Sequence, residues 1–188
     1  MMNRCIVVGN APLSRDRARA ELIDSYDTVI RVNGYRPERA EAVGKKIDIL
    51  ALGCPTWRDK KPLESLPREC IIWGIFPYHS YKRLYAEGKA YGYMIDKIDT
   101  KYIAEISGLV GVNGFHTFPT SGIVTIHVAL QMQMYRRGGR EVIDIAGFSL
   151  DGTNWEGKQE NRAVCHDLNK DGKYLKKLIK EGKVRPIG

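Results

Sequence analysis

The chain has 188 residues, 43% of them hydrophobic and 28% charged, a balance that suits one soluble globular domain over residues 1–188 rather than a disordered or membrane protein. No apolar run approaches the roughly 20 residues that a membrane helix needs, so no membrane span is expected. The 30 basic and 22 acidic side chains leave a formal charge of +8, which points to an anionic partner.

Cys5 to Val8 is a continuous apolar run of the kind found in strands buried on both faces. It begins almost at Met1, leaving no room for a signal peptide, and the cytoplasm is the expected location. Gly9 then allows a sharp turn and a close approach of a ligand to the backbone. Residues Asp16 to Ile23, with Ala18, Leu22 and Ile23 among charges, have the pattern of a short amphipathic helix. Val29 to Val32 resumes the buried-strand pattern and ends in Asn33. A β-α-β unit of this form sets Gly9, Asn10 and Asn33 side by side at the carboxyl edge of a parallel sheet, where open α/β folds bind ligands. Asparagines donate and accept without charge, which suits phosphate oxygens, ribose hydroxyls or a pyrimidine edge. A plain turn at Gly9-Asn10 and a plain strand cap at Asn33 satisfy the same residues. The spacing after Gly9, with Ala11 and Ser14, is not that of a dinucleotide fingerprint, and no Gly-Lys-Ser/Thr of a P-loop occurs.

Gly34 to Lys46 is polar and reads as a loop or irregular helix leading to a third strand, Ile47 to Leu52. Cys70 to Phe76 forms a fourth. From Trp73 to Tyr102 aromatic residues alternate with Lys82, Arg83, Lys89 and Lys97. Such rings can stack on sugars or bases, and the spacing of Tyr78, Tyr81 and Tyr85 equally fits a helix packed on the sheet.

Phe118-Pro119-Thr120-Ser121-Gly122 precedes an apolar helix expected from Gly122 to Arg136, stopped by Gly138-Gly139. Thr120 and Ser121 stand where they can cap it, and its free amides and dipole form an anion site for phosphate or carboxylate. His127 falls on the apolar stripe of that helix and reads as a packing residue. Val142 to Phe148 is a fifth buried strand, again ending in a glycine, Gly147, followed by the polar Ser149 and Asp151. His166 lies beside Asp167 where a loop meets a helix, Leu168 to Lys180, outside any apolar stripe. A histidine there can serve as a general base. Lys183 to Ile187 has the pattern of a short edge strand.

Cys5, Cys54, Cys70 and Cys165 lack metal-ligand spacing and read as reduced thiols. Lys170, Lys173, Lys176, Lys177 and Lys180 form one face of the last helix, the pattern of a solvated surface. No nucleic-acid-binding motif is present, which leaves a nucleic-acid partner unsupported.

The ordered set of pieces resembles the sialyltransferases, most closely the animal type (glycosyltransferase family 29) and more loosely the bacterial enzymes. Their long motif, Cys-x-Val-Val-Gly-Asn, then Asp-x-Val-x-Arg-x-Asn, then Val-Gly-x-Lys, is matched by Cys5 to Asn10, Asp27 to Asn33 and Val43 to Lys46. Their short motif is matched by Pro119 to Gly122 with Gly147-Phe148, and their final histidine motif by His166-Asp167. The resemblance spans most of the chain apart from the aromatic middle.

The resemblance implies an α/β fold, a single Rossmann-like domain of the sialyltransferase-like GT-A variant, with a mostly parallel central sheet and helices on both faces. It implies a metal-independent inverting transferase that moves sialic acid, or a related keto sugar acid, from a cytidine monophosphate sugar (CMP-sugar) to a glycan acceptor hydroxyl, with no further cofactor. Gly9, Asn10 and Asn33 would hold the donor phosphate and nucleoside; Thr120, Ser121 and Gly122 would contact the donor sugar. Gly147 and Phe148 would lie against the cytidine, with Ser149 and Asp151 on the same edge. His166 would take the acceptor proton. Where the animal family has His-His-Tyr-x-Glu after Asn-Trp, this chain has Glu156 to Glu160, and Lys158 is expected to stabilise the leaving phosphate by charge. The family's partner for the cysteine at Cys5 is missing, which fits a reducing compartment. No Asp-x-Asp metal clip occurs in the chain. Two other readings remain open: a nucleotide-binding protein of this fold without catalysis, and a basic nucleic-acid-binding domain.

Overall fold

A computed structural model describes residues 4–11, 13–33, 39–53, 66–75, 85, 88–89, 91–112, 117–137, 142–150 and 166–187, without the side chains of 133–137. Its strands are β1 (Cys5–Val8), β2 (Thr28–Val32), β3 (Ile49–Gly53), β4 (Ile71–Ile75), β5 (Met94–Lys97), β6 (Ile143–Ala146) and β7 (Val184–Pro186). Its helices are α1 (Arg17–Asp24), α2 (Ala40–Val43), α3 (Thr100–Val110), α4 (Ser121–Arg137) and α5 (Leu168–Lys180).

Among the described residues seven strands form one sheet in the order β5-β4-β3-β2-β1-β6-β7, and every neighbouring pair runs parallel. Such a sheet needs cover on both faces, which is why its central strands are largely apolar, with Arg31 of β2 and Asp144 of β6 as buried charges. Cys5 and Val7 of β1 join Ile30, Ala51, Trp73 and Ile145 under α3, α4 and α5. Ile6 and Val8 face the other way, with Val29 and Ala146, onto Ile23 of α1 and Ala42 and Val43 of α2. Leu50, Leu52 and Ile72 extend that second face beneath Leu66 and Tyr93. Among the described residues no helix is long and apolar enough to cross a membrane.

The chain lays down β1 to β5 outward in one direction, then returns through α3 and α4 to place β6 on the opposite side of β1. Strand order therefore reverses between β1 and β6. In open α/β folds ligands bind at such a reversal, outside the carboxyl ends of the strands.

Three expectations change. The inner face of α1 is Arg19, Ala20 and Ile23, whereas Ala18 and Leu22 face solvent. Arg19 is buried because its guanidinium is met by the backbone oxygens of Ser14 and Ala42. Strand β5 and helix α3 were not anticipated: β5 is an edge strand with Met94 63% exposed, so it carries no buried apolar run. The aromatic middle divides, with Trp73 and Tyr93 in the core and Tyr85 and Tyr91 exposed. Tyr93 donates its hydroxyl to the Leu66 carbonyl at 3.0 Å. Tyr78, Tyr81, Lys82 and Arg83 lie outside the described residues. Cys5 and Cys70 are buried free thiols, and Cys54 and Cys165 lie outside the described residues.

Candidate functional site

Because β1, β2, β3 and β6 are parallel and in register, their carboxyl ends arrive at one edge. The residues beyond those ends are then tied to one another. The Gly9 amide donates to Ala146 O at 2.8 Å and the Ala11 amide to Gly147 O at 2.9 Å, which binds the β1 loop to the β6 loop across the strand-order reversal. A β-carbon on Gly147 would lie 2.8 Å from the Gly9 carbonyl oxygen, and one on Gly9 would press into the Gly147 oxygen. Gly147 also has φ +67°, so glycine serves there for both space and conformation.

On the other side, Asn10 Nδ2 donates to Val32 O at 2.7 Å, and Asn33 Oδ1 accepts the Gly53 amide at 2.6 Å. Asn33 is the one described non-glycine residue in the left-handed region, at φ +60°, where asparagine is tolerated better than most side chains. The turn this produces lets its amide reach Ala51 O at 2.7 Å while its side chain bridges to β3. Arg39 reaches the same loop from the start of α2, donating to Asn10 O at 3.3 Å and Ala11 O at 3.0 Å. A fixed positive charge thus stands beside the first loop.

The start of α4 closes the circle. Gly53 has no room for a β-carbon because the Ser121 hydroxyl lies against it, and a β-carbon on Gly122 would lie 2.7 Å from Cε1 of the Phe148 ring. Gly9, Asn10, Asn33, Ser121, Gly122, Gly147 and Phe148 are therefore gathered around one stretch of the carboxyl edge. Ser149 follows Phe148 and is half-buried, whereas Asp151 and Lys158 lie outside the described residues.

His166 contacts the segment before α4. Its Nδ1 is 2.8 Å from the Phe118 carbonyl oxygen. A carbonyl only accepts, so Nδ1 carries the hydrogen, and in the neutral ring Nε2 keeps its lone pair. The residue is half-buried at the head of α5, which Asp167 caps by accepting the Lys170 amide at 3.1 Å. Asp171, one turn on, is buried and accepts the Thr120 amide on Oδ2 at 2.9 Å. Burial pushes its carboxyl up, opposed by hydrogen bonding to Thr120. Neither Arg39 nor Asp171 was picked out in the sequence, where each is one charge in a run of charges.

No protein-family model matches the chain, and no curated protein matches it. Solved structures do. A mammalian sialyltransferase in complex with Gal-beta-1-3GalNAc-ortho-nitrophenol superposes with a TM-score of 0.69 at 20% identity, over 98% of this chain and 69% of that one. A second mammalian sialyltransferase structure gives 0.66 at 20% identity, over 98% and 68%. The chain has a sialyltransferase-like fold. Within that fold, the residues gathered at the carboxyl edge are those on which the long and short motifs of the resemblance fall.

Proposed function

We propose that the protein is a glycosyltransferase that moves sialic acid, or a related keto sugar acid, from a CMP-sugar to an acceptor hydroxyl, without a metal ion and with inversion. The observation that carries this reading is the convergence of Gly9, Asn10, Asn33, Ser121, Gly122, Gly147 and Phe148 at the reversal of strand order. The likeness of fold to the mammalian sialyltransferases supports a glycosyltransferase-type function in the same direction.

In this reading the Gly9-Asn10 loop and Asn33 receive the nucleoside and phosphate, and Phe148 offers its ring beside Gly147 to the cytosine. The first turn of α4, with Thr120, Ser121 and Gly122, faces the sugar's carboxylate with backbone amides and a positive dipole end. His166 Nε2 takes the proton of the acceptor hydroxyl as that oxygen forms its bond to the anomeric carbon from the face opposite the phosphate. The carbon–oxygen bond to phosphate breaks, and its electron pair leaves with cytidine monophosphate (CMP). Lys158 is proposed to balance the charge that builds on that phosphate.

A base so placed contributes about 10² to 10⁴ in rate. Transfer from CMP-sialic acid to a panel of galactosides tests the proposal directly. His166→Ala is expected to lower turnover by that order while CMP affinity stays within about twofold. Unchanged turnover would remove His166 from the base role, and activity that chelator abolishes would remove the metal-free mechanism.

A further inference from the structure

The loop after β1 is fastened from both sides by neutral groups. The Gly9 and Ala11 amides donate to Ala146 O and Gly147 O, and the Asn10 carboxamide donates to Val32 O, so three bonds hold it between β6 and β2. Arg39 adds two more, from Nη1 to Asn10 O at 3.3 Å and from Nη2 to Ala11 O at 3.0 Å. What the arginine alone brings to this loop is a full positive charge, present at every working pH.

The two other guanidinium groups of this corner have a different task. Arg19 of α1 donates to Ala42 O and Ser14 O, and Arg31 of β2 donates to Val43 O at 3.0 Å and Lys46 O at 2.8 Å. Both are buried, and both help to secure the carbonyls at the C-terminal end of α2, which the helix itself leaves without partners. Arg39 stands at the opposite end of α2, half-buried, and its acceptors belong to the carboxyl edge of the sheet.

The residues gathered at that edge, Gly9, Asn10, Asn33, Ser121, Gly122, Gly147 and Phe148, carry no charge. Neutral donors can orient a phosphate, but they also serve a hydroxyl or the edge of a base. Preference for the charged group needs a cation, and its field is least screened where the protein excludes water.

We propose that Arg39 sets the preference of this site for a phosphorylated nucleoside, its guanidinium being anchored on the Asn10 and Ala11 carbonyls and its charge acting across the loop on the phosphate. The proposal rests on the reading of this edge as a nucleotide site and is independent of His166 and of catalysis. It assigns the guanidinium no contact with the ligand. The same two bonds offset the negative ends of two carbonyl dipoles that would otherwise oppose an anion.

The test compares CMP, titrated by calorimetry, with cytidine, titrated to millimolar concentration by NMR shifts, each at low and at high salt. The wild type is expected to bind CMP more tightly than cytidine, by a margin that narrows as salt rises. Arg39→Met, which keeps the length and removes the charge, is expected to weaken CMP binding by about tenfold or more and to leave cytidine binding within about twofold. Arg39→Lys, which keeps the charge, is expected to stay within about fivefold of wild type for CMP. Should Arg39→Met not fold, Arg39→Gln takes its place, since it is neutral and still a donor, and the same split between the two ligands is expected.

Unchanged CMP affinity in the neutral variant overturns the proposal. So do equal losses for CMP and cytidine, because Arg39 would then only shape the loop, and so does a lysine variant as weak as the methionine one. A wild type that binds CMP and cytidine equally overturns it as well while leaving a nucleoside site in place. A wild type that binds neither removes the nucleotide reading itself, and the proposal with it.

Discussion

The carboxamide oxygen of Asn33 accepts the Gly53 amide at 2.6 Å, joining the carboxyl ends of two adjacent parallel strands beside the first turn of α4. The bond needs an acceptor at position 33 and does not need neutrality. Aspartate meets the first requirement, tolerates the left-handed backbone and adds a negative charge to a pocket proposed to receive a phosphate. Asn33→Asp is therefore expected to leave thermal stability within about 1 kcal/mol of wild type while weakening nucleotide binding by about tenfold or more. Equal nucleotide affinity in the two proteins would place the phosphate elsewhere.

The contact between Gly9 and Gly147 sets a steric limit on the site. A methyl group on Gly9 meets a backbone oxygen rather than the end of a flexible side chain, and the Phe148 ring at 3.1 Å closes the other direction. Gly9→Ala is expected to cost about 1–3 kcal/mol through forced displacement of the β6 loop. For a chain of this size that lowers Tm by about 2–4 °C per kcal/mol in calorimetry. A Tm within about 1 °C of wild type would show that the two loops separate freely.

His127 gives the fold a defined response to acid. The ring is buried on α4, and its Nε2 lies 3.5 Å from Glu105 Oε1, beyond a good hydrogen bond. Burial lowers its pKa from the ordinary 6.5, partly offset by Glu105. As pH falls below that value the unfolded chain takes up the proton first, so stability present above it is lost on the way down to the folded-state pKa. His127→Gln should flatten the fall of Tm between about pH 7 and pH 5. Parallel curves for the two proteins would contradict the assignment.

Cys70 opens the way to a chemical test of packing at the start of β4. Burial pushes its thiol up to about 12, opposed by a backbone hydrogen bond from Leu50. A thiol held protonated is a poor nucleophile. Mass spectrometry after iodoacetamide treatment of the native protein is expected to find Cys70 unmodified, and modified once denaturant is added. Rapid native labelling would mean that the segment over β4 opens readily.

Much of this architecture was legible because buried parallel strands advertise themselves. Cys5 to Val8 is an uninterrupted apolar run, Val29 to Val32 is apolar but for Arg31, and each ends in a residue, Gly9 or Asn33, whose backbone needs are specific. The edge strand β5 carries no such signal, since Met94, Asp96 and Lys97 face solvent. Helix α3 carries only short local signals: Asp99 accepts the Lys101 amide as its cap, and Gly111 ends it in the left-handed region. Arg19 and Asp171 were hidden for a different reason. Each is a charge buried by virtue of backbone partners far along the chain, Ala42 for one and Thr120 for the other, and no local pattern distinguishes such a charge from a solvated one.

The central claim is that the crevice where strand order reverses accepts a cytidine nucleotide, and calorimetric titration with CMP against uridine, adenosine and guanosine monophosphates measures it most directly. Saturable binding of one CMP per chain, preferred by about tenfold or more over the other three and weakened in Asn33→Asp, is the result the account requires. Equal binding of all four nucleotides, or no saturable binding of any, would contradict it.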